Sequence, residues 1–170
     1  MNEPSKLAPV GVVGLGLMGS SIVAALLAAG HPVKAIAPIA PEAGEAPERI
    51  AAQLRQCVGA GLIGSVQPCL DALTVSEDYS VLSDCVLVIE CVIEKPEIKS
   101  AVYQKITGSV GRDCVIGSNT SAIPISELPE VCGAPRTVPR YSLGRAGIHD
   151  PLSGNYLRRT NRSPVRGAGF

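Results

Sequence analysis

The chain lacks a net charge: 15 basic and 15 acidic side chains cancel at pH 7. Its overall charge therefore carries no electrostatic footprint for nucleic acid. Histidine is scarce. His31 and His149 are the only two, which argues against a metal centre, since such sites draw on clustered histidine, cysteine and carboxylate. The six cysteines, Cys57, Cys69, Cys85, Cys91, Cys114 and Cys132, include no C-x-x-C pair. Several stand in apolar, strand-like runs, where a thiol packs as a small hydrophobe. Free thiols in a reducing compartment are expected, rather than disulfides or zinc. No charged-then-apolar leader opens the sequence, and no apolar run approaches membrane-spanning length. A cytoplasmic protein with no membrane partner is the expectation.

What is present is ordinary globular material, 46% apolar and 18% charged over 170 residues. That suffices for one domain with a sizeable core. The opening segment PVGVVGLGLMGSSIVAALLAAGH places Gly14, Gly16 and Gly19 between an apolar strand and an alanine-rich helix. This is a G-x-G-x-x-G fingerprint in a context that gives it physical meaning. Gly14 permits the tight turn, Gly16 lets backbone approach a pyrophosphate, and Gly19 lets helix pack closely on strand. Phosphates would meet free N–H groups and the positive end of the helix dipole. Gly14, Leu15, Gly16, Leu17, Met18 and Gly19 are thus the candidate cofactor cradle. A bare tight turn is the alternative reading of the same glycines.

Further along, the chain alternates. Pro9–Val13 reads as a buried strand, Leu17–Ala29 as a helix closed by Gly30, and Val33–Ala37 as a second strand ended by Pro38 and Pro41. In APERIAAQLRQCVGAG, Ile50, Leu54, Cys57 and Val58 recur at helical spacing, and glycines 59, 61 and 64 stop that helix. Leu73–Val75, Val86–Ile89 and Val115–Gly117 read as strands. Pro96 opens a helix whose apolar face is Ile98, Ala101, Val102 and Ile106. Alternating strands and helices predict an α/β fold of the Rossmann type: a doubly wound, mainly parallel sheet with helices on both faces. The glycine loop, Glu90–Glu94 and Ser118–Ser121 all follow strands, so all three should line one crevice.

Three segments together, VGVVGLGLMGSSI, DCVLVIECVIEKPEIKSAVYQKI and VIGSNTSAIPISEL, resemble the NAD-binding domain of the 3-hydroxyacyl-CoA dehydrogenase family in composition, order and spacing. The resemblance covers roughly residues 8–135. Enzymes of the 3-hydroxyisobutyrate type share GLGxMG but not the later segments. The resemblance implies NAD as cofactor and hydride transfer between a 3-hydroxyacyl-CoA and its 3-keto form, a step of fatty-acid metabolism. It carries cofactor contacts onto Glu94 and Lys99, and a contact near the reacting hydroxyl onto Ser121, with Asn119 in the same loop. Lys99 stays open between neutralising phosphate and pairing with Glu94. Ser118, Thr120 and Ser121 are equally able to cap a helix beginning near Ile125, and Glu90 reads as structural. A non-catalytic dinucleotide-binding module, or a related L-gulonate or hydroxybutyryl-CoA enzyme, are the alternatives.

Two departures from the family matter. An acidic residue should end the second strand and accept from the adenine ribose hydroxyls; Ala37 stands there, and the nearest acids are Glu42 and Glu45. The first arginine available for a 2′-phosphate is Arg49. The catalytic histidine and its orienting glutamate correspond to Ser142 and Gly154, neither of which can move the proton that hydride transfer requires. Composition also breaks near Arg136: residues 136–170 hold seven arginines, no lysine and one acid, Asp150. The expectation is a nucleotide domain over 1–135, followed by an irregular tail translated out of frame. Read one base later, allowed codons give ERFLGIHWAEPAYTIRYLEIICGERT, with histidine at slot 142 and glutamate at slot 154. A helical substrate and dimerisation domain is expected to be absent, leaving the chain catalytically incomplete.

Overall fold

A computed structural model describes residues 7–119 and 140–142. Val10–Val13 (β1) is buried at all four positions, as a strand covered on both faces must be. Its side chains alternate: Val12 enters one core cluster and Val13 the other. Five further strands join it: β2 (Val33–Ile36), β3 (Leu73–Ser76), β4 (Leu87–Glu90), β5 (Val115–Ser118) and β6 (Arg140–Ser142). Their order is β3-β2-β1-β4-β5-β6, and every neighbouring pair is parallel. The order reverses at β1, between β2 and β4, which makes a crevice beyond the carboxyl ends of β1 and β4 the expected ligand position. The doubly wound α/β class expected from the alternation is the one observed.

Helices cover both faces. Helices α1 (Leu17–Ala28), α2 (Ala40–Gly59) and the short α3 (Gln67–Asp71) bury Val23, Leu27, Ile50 and Leu54 against Val12 and Ala35. On the opposite face α4 (Pro96–Ser109) and a 3-10 turn at Tyr79–Leu82 bury Val102, Ile106 and Leu82 against Val13, Val88 and Ile116. Gly11 explains how the turn fits: a Cβ there would stand 2.8 Å from Leu82 and 2.9 Å from Val88.

Two elements differ from expectation. Helix α2 begins at Ala40, earlier than the apolar periodicity indicates, so Pro41 lies in its first turn and Pro47 inside it. Pro47 is exposed while Ala46 and Ile50 are wholly buried, so packing of the inner face carries the helix past a residue that lacks an N–H. In the arginine-rich stretch no core element is expected, yet Arg140–Ser142 pairs with β5, Ser142 opposite Ser118. Backbone pairing at a sheet edge uses N–H and C=O groups common to every residue, so composition did not reveal it.

Candidate functional site

The carboxyl ends of the strands are stitched by backbone bonds that carry the chain into its loops. Gly14 N–H donates to the Ile36 carbonyl (2.9 Å), Cys91 N–H to Val13 (2.7 Å) and Asn119 N–H to Glu90 (2.8 Å). The loops after β1, β4 and β5 therefore leave the sheet side by side.

The three glycines do three different things. Gly14 has φ +95°, and a Cβ on it would stand 2.9 Å from the backbone of Cys91 and Val92. At Gly19 a Cβ would lie 1.8 Å from the Gly14 carbonyl oxygen, so the turn and the helix–strand contact each demand their glycine. Gly16 is different. Its φ of −62° suits any residue, and a Cβ would approach no protein atom closer than Glu42 Oε1, at 4.0 Å. Neither packing nor backbone geometry requires glycine here. The open space belongs to whatever approaches the loop from outside.

Gly16 is also the N-cap of α1, with no side-chain cap and no acidic residue in the first turn. The first helical amide to bond is that of Ser20, to the Gly16 carbonyl at 3.0 Å. The amides of Leu17, Met18 and Gly19 have no acceptor among the described residues. Free amides at the positive end of a helix dipole are the elements of a phosphate site. Around them the exposed apolar side chains Leu17 (75%), Met18 (53%), Ile39 (56%) and Ile93 (59%) stand just past the ends of β1, β2 and β4.

The loop is braced from α2. Glu42 Oε2 accepts from Leu15 N–H at 2.9 Å, and the Leu15 carbonyl accepts from Arg49 Nη1 and Ser20 Oγ, both at 2.9 Å. Arg49 also pairs with Glu45 at 3.0 Å. The Leu15 side chain is wholly buried in the core. Of the predicted cradle residues, Leu15 is thus held from beneath, with its amide already taken.

A buried ionic cluster supports the loops after β4 and β5. Glu90, Lys99 and Ser118 have essentially no exposed surface. Lys99 Nζ donates to both Glu90 oxygens, at 2.9 and 2.8 Å, Ser118 Oγ donates to Oε2 at 2.6 Å, and Val92 N–H to Oε1 at 2.7 Å. Burial of a charge is tolerated where it is paired and its lone pairs are filled, as here. Lys99 had two sequence readings, a phosphate contact or a pairing with Glu94; its ammonium is bonded to Glu90 instead. Next to this cluster, burial and the Glu90 carboxylate push the Cys91 thiol up to about 12, against a smaller opposing effect of Lys99. That thiol keeps its proton and is no nucleophile.

The family model for the 3-hydroxyacyl-CoA dehydrogenase NAD-binding domain matches residues 9–140. The chain belongs to this family. A 3-hydroxybutyryl-CoA dehydrogenase of Mycobacterium tuberculosis is 36% identical over 132 residues, 76% of this chain and 46% of that protein. The crystal structure of M. tuberculosis FadB2 aligns with a TM-score of 0.72 and 33% identity, covering 82% of this chain and 50% of that one. The (S)-3-hydroxybutyryl-CoA dehydrogenase PaaH1 of Ralstonia eutropha gives a TM-score of 0.70 at 25% identity, over 81% and 49%. The chain spans about half the length of these relatives.

NAD is the cofactor of this 3-hydroxyacyl-CoA dehydrogenase domain, and the glycine loop with its free α1 amides fits a dinucleotide. Among the described residues no cluster of histidine, cysteine and carboxylate could hold a metal, and the five described cysteines are free. No helix among them is long and apolar enough to cross a membrane. Glu94 and Asn119 stand on the loops after β4 and β5. Ser121, like Thr120, lies outside the described residues. Sequence reasoning missed Glu42 and Arg49 as loop braces and Ser118 as a partner of Glu90. The last had a faint signal, a glutamate closing an apolar strand with a lysine nine residues on.

Proposed function

We propose that this chain is the cofactor half of an enzyme that exchanges hydride between NAD and the 3-position of a 3-hydroxyacyl-CoA, in the cytoplasmic metabolism of fatty acids. The observation that carries the reading is Gly16, a glycine that packing does not require, at the mouth of free helix amides. Bound NAD would supply the hydride acceptor. The chain's own part is to seat the pyrophosphate on the α1 amides and to cover the rings with Ile39, Ile93 and Met18. Glu94 adds a further cofactor contact. Asn119, on the loop after β5, and Ser121, by the family resemblance, supply contacts near the reacting hydroxyl.

Proton transfer finds no base at the family's position. Ser142, at the end of β6 and in register with Ser118, occupies the slot of the family histidine, and a serine hydroxyl cannot take that proton unaided. The chain as written therefore binds NAD without turning over. Calorimetric titration with NADH, paired with an acetoacetyl-CoA reduction assay, tests both statements. Binding without turnover is expected. Turnover would show that a base is present, and absence of binding would remove the cofactor reading altogether.

A further inference from the structure

We propose that Glu42 supplies the ribose-binding carboxylate missing from the end of β2, and so selects a dinucleotide with a free 2′-hydroxyl over its 2′-phosphorylated counterpart. The proposal rests on the NAD-site reading and specifies how that site tells two cofactors apart.

In doubly wound sheets an acid at the end of the second strand accepts hydrogen bonds from the adenine ribose. Ala37, in that position, is buried and offers only a methyl group. Glu42 comes instead from the first turn of α2 and reaches back to the glycine loop. Its Oε2 is fixed by the Leu15 amide at 2.9 Å. Its Oε1 takes no hydrogen bond from any described residue, and it is the atom nearest the open side of Gly16, 4.0 Å from where a Cβ would be. A carboxylate accepts up to about four hydrogen bonds, so the anchored group keeps capacity for hydroxyl donors. The bond to Leu15 holds the side chain in one place before any ligand arrives, so little ordering remains to be done on binding.

The surrounding charges decide the selectivity. The cation closest in sequence, Arg49, is committed to the Leu15 carbonyl and to Glu45. A phosphate on the 2′-oxygen would meet the Glu42 carboxylate, and Arg49, already engaged, does not offset it. Glu42 also lies near enough to Tyr79, just past β3, to help burial raise its phenol pKa. The bond to the Leu15 amide, in the loop that leaves β1, sets this carboxylate at the strand-end side of the sheet, where the ribose belongs.

Affinities of the full chain for NADH and NADPH, by fluorescence titration, test this directly. The unmodified chain should prefer NADH at least tenfold, and equal affinity or a preference for NADPH overturns the proposal without any variant. In Glu42→Gln, checked for an unchanged melting temperature, the NADH-to-NADPH preference should fall at least fivefold, with NADH weakened more than NADPH. If Glu42 only braces Leu15, both cofactors weaken equally and the ratio stays put, which also overturns it. If the unmodified chain binds neither cofactor, the underlying NAD-site reading fails, a result distinct from a lost preference.

Discussion

The ammonium of Lys99 and the carboxylate of Glu90 meet at 2.8 Å with neither side chain exposed to solvent. The pair ties the first turn of α4 to the end of β4, and through Ser118 to the end of β5. Three elements that shape one side of the crevice therefore depend on one carboxylate.

Removing one partner leaves the other charged and buried, which costs about 3–5 kcal/mol. Lys99→Met should lower the unfolding free energy by that order or abolish cooperative unfolding. The double variant Lys99→Met/Glu90→Gln should recover much of the loss, because no unpaired charge remains. Denaturation followed by circular dichroism checks this. A single variant within about 1 kcal/mol of the parent, the upper end for an exposed ion pair, would mean that water reaches the pair.

The glycines should separate into packing and binding classes. Gly19→Ala drives a methyl onto the Gly14 carbonyl and should cost roughly 3 kcal/mol or more of stability. Gly16→Ala meets only Glu42 Oε1, at an unstrained 4.0 Å, so its melting temperature should hold while NADH affinity falls at least tenfold. Thermal melts and calorimetry on the two variants test the division. Unchanged NADH binding in Gly16→Ala would count against a ligand at that point.

Cys91 should make the fold sensitive to alkali. Its thiol is pushed up to about 12 from an ordinary 9.0. Above pH 9 the unfolded chain releases a proton that the folded chain retains, so stability falls as pH rises through that window. Below it both states are protonated and the group contributes no slope. The limiting slope is about 1.4 kcal/mol per pH unit. Urea midpoints from pH 8 to 11 should fall less steeply in Cys91→Ala than in the parent; parallel curves would show that the thiol ionises normally.

The coding DNA tests the tail. From codon 136, reading one base later should yield the continuous strand-like ERFLGIHWAEPAY segment that the chain's own frame replaces with arginine-rich sequence. Sequencing that stretch decides the matter, and codons incompatible with the shifted peptide would show the tail to be native.

Local physics was legible along the chain. Strands β1, β2, β4 and β5, the Pro96 helix start and the turn at Gly14 all depend on apolar runs, a fixed proline φ or a positive glycine φ. Each is settled within a few residues. The start of α2 was not, because its inner face is held by contacts with residues far away in sequence. Nor was the division of labour among the glycines: all three look alike until the neighbours of each Cβ position are known.

Amino-acid order alone was enough to establish the doubly wound class, the tight turn at Gly14 and the motifs shared with a dehydrogenase family. The first two rest on periodicity and on backbone conformations particular residues favour, the third on a resemblance of three segments. Which charges meet was a matter of three dimensions. Lys99 had a carboxylate five residues before it at Glu94, yet pairs with Glu90, which sheet register sets beside Ser118. Glu42 reaches Leu15, 27 positions away, because α2 crosses beside the loop. Side-chain partnership depends on distance after folding, and helix packing and strand register set that distance between residues remote in the chain.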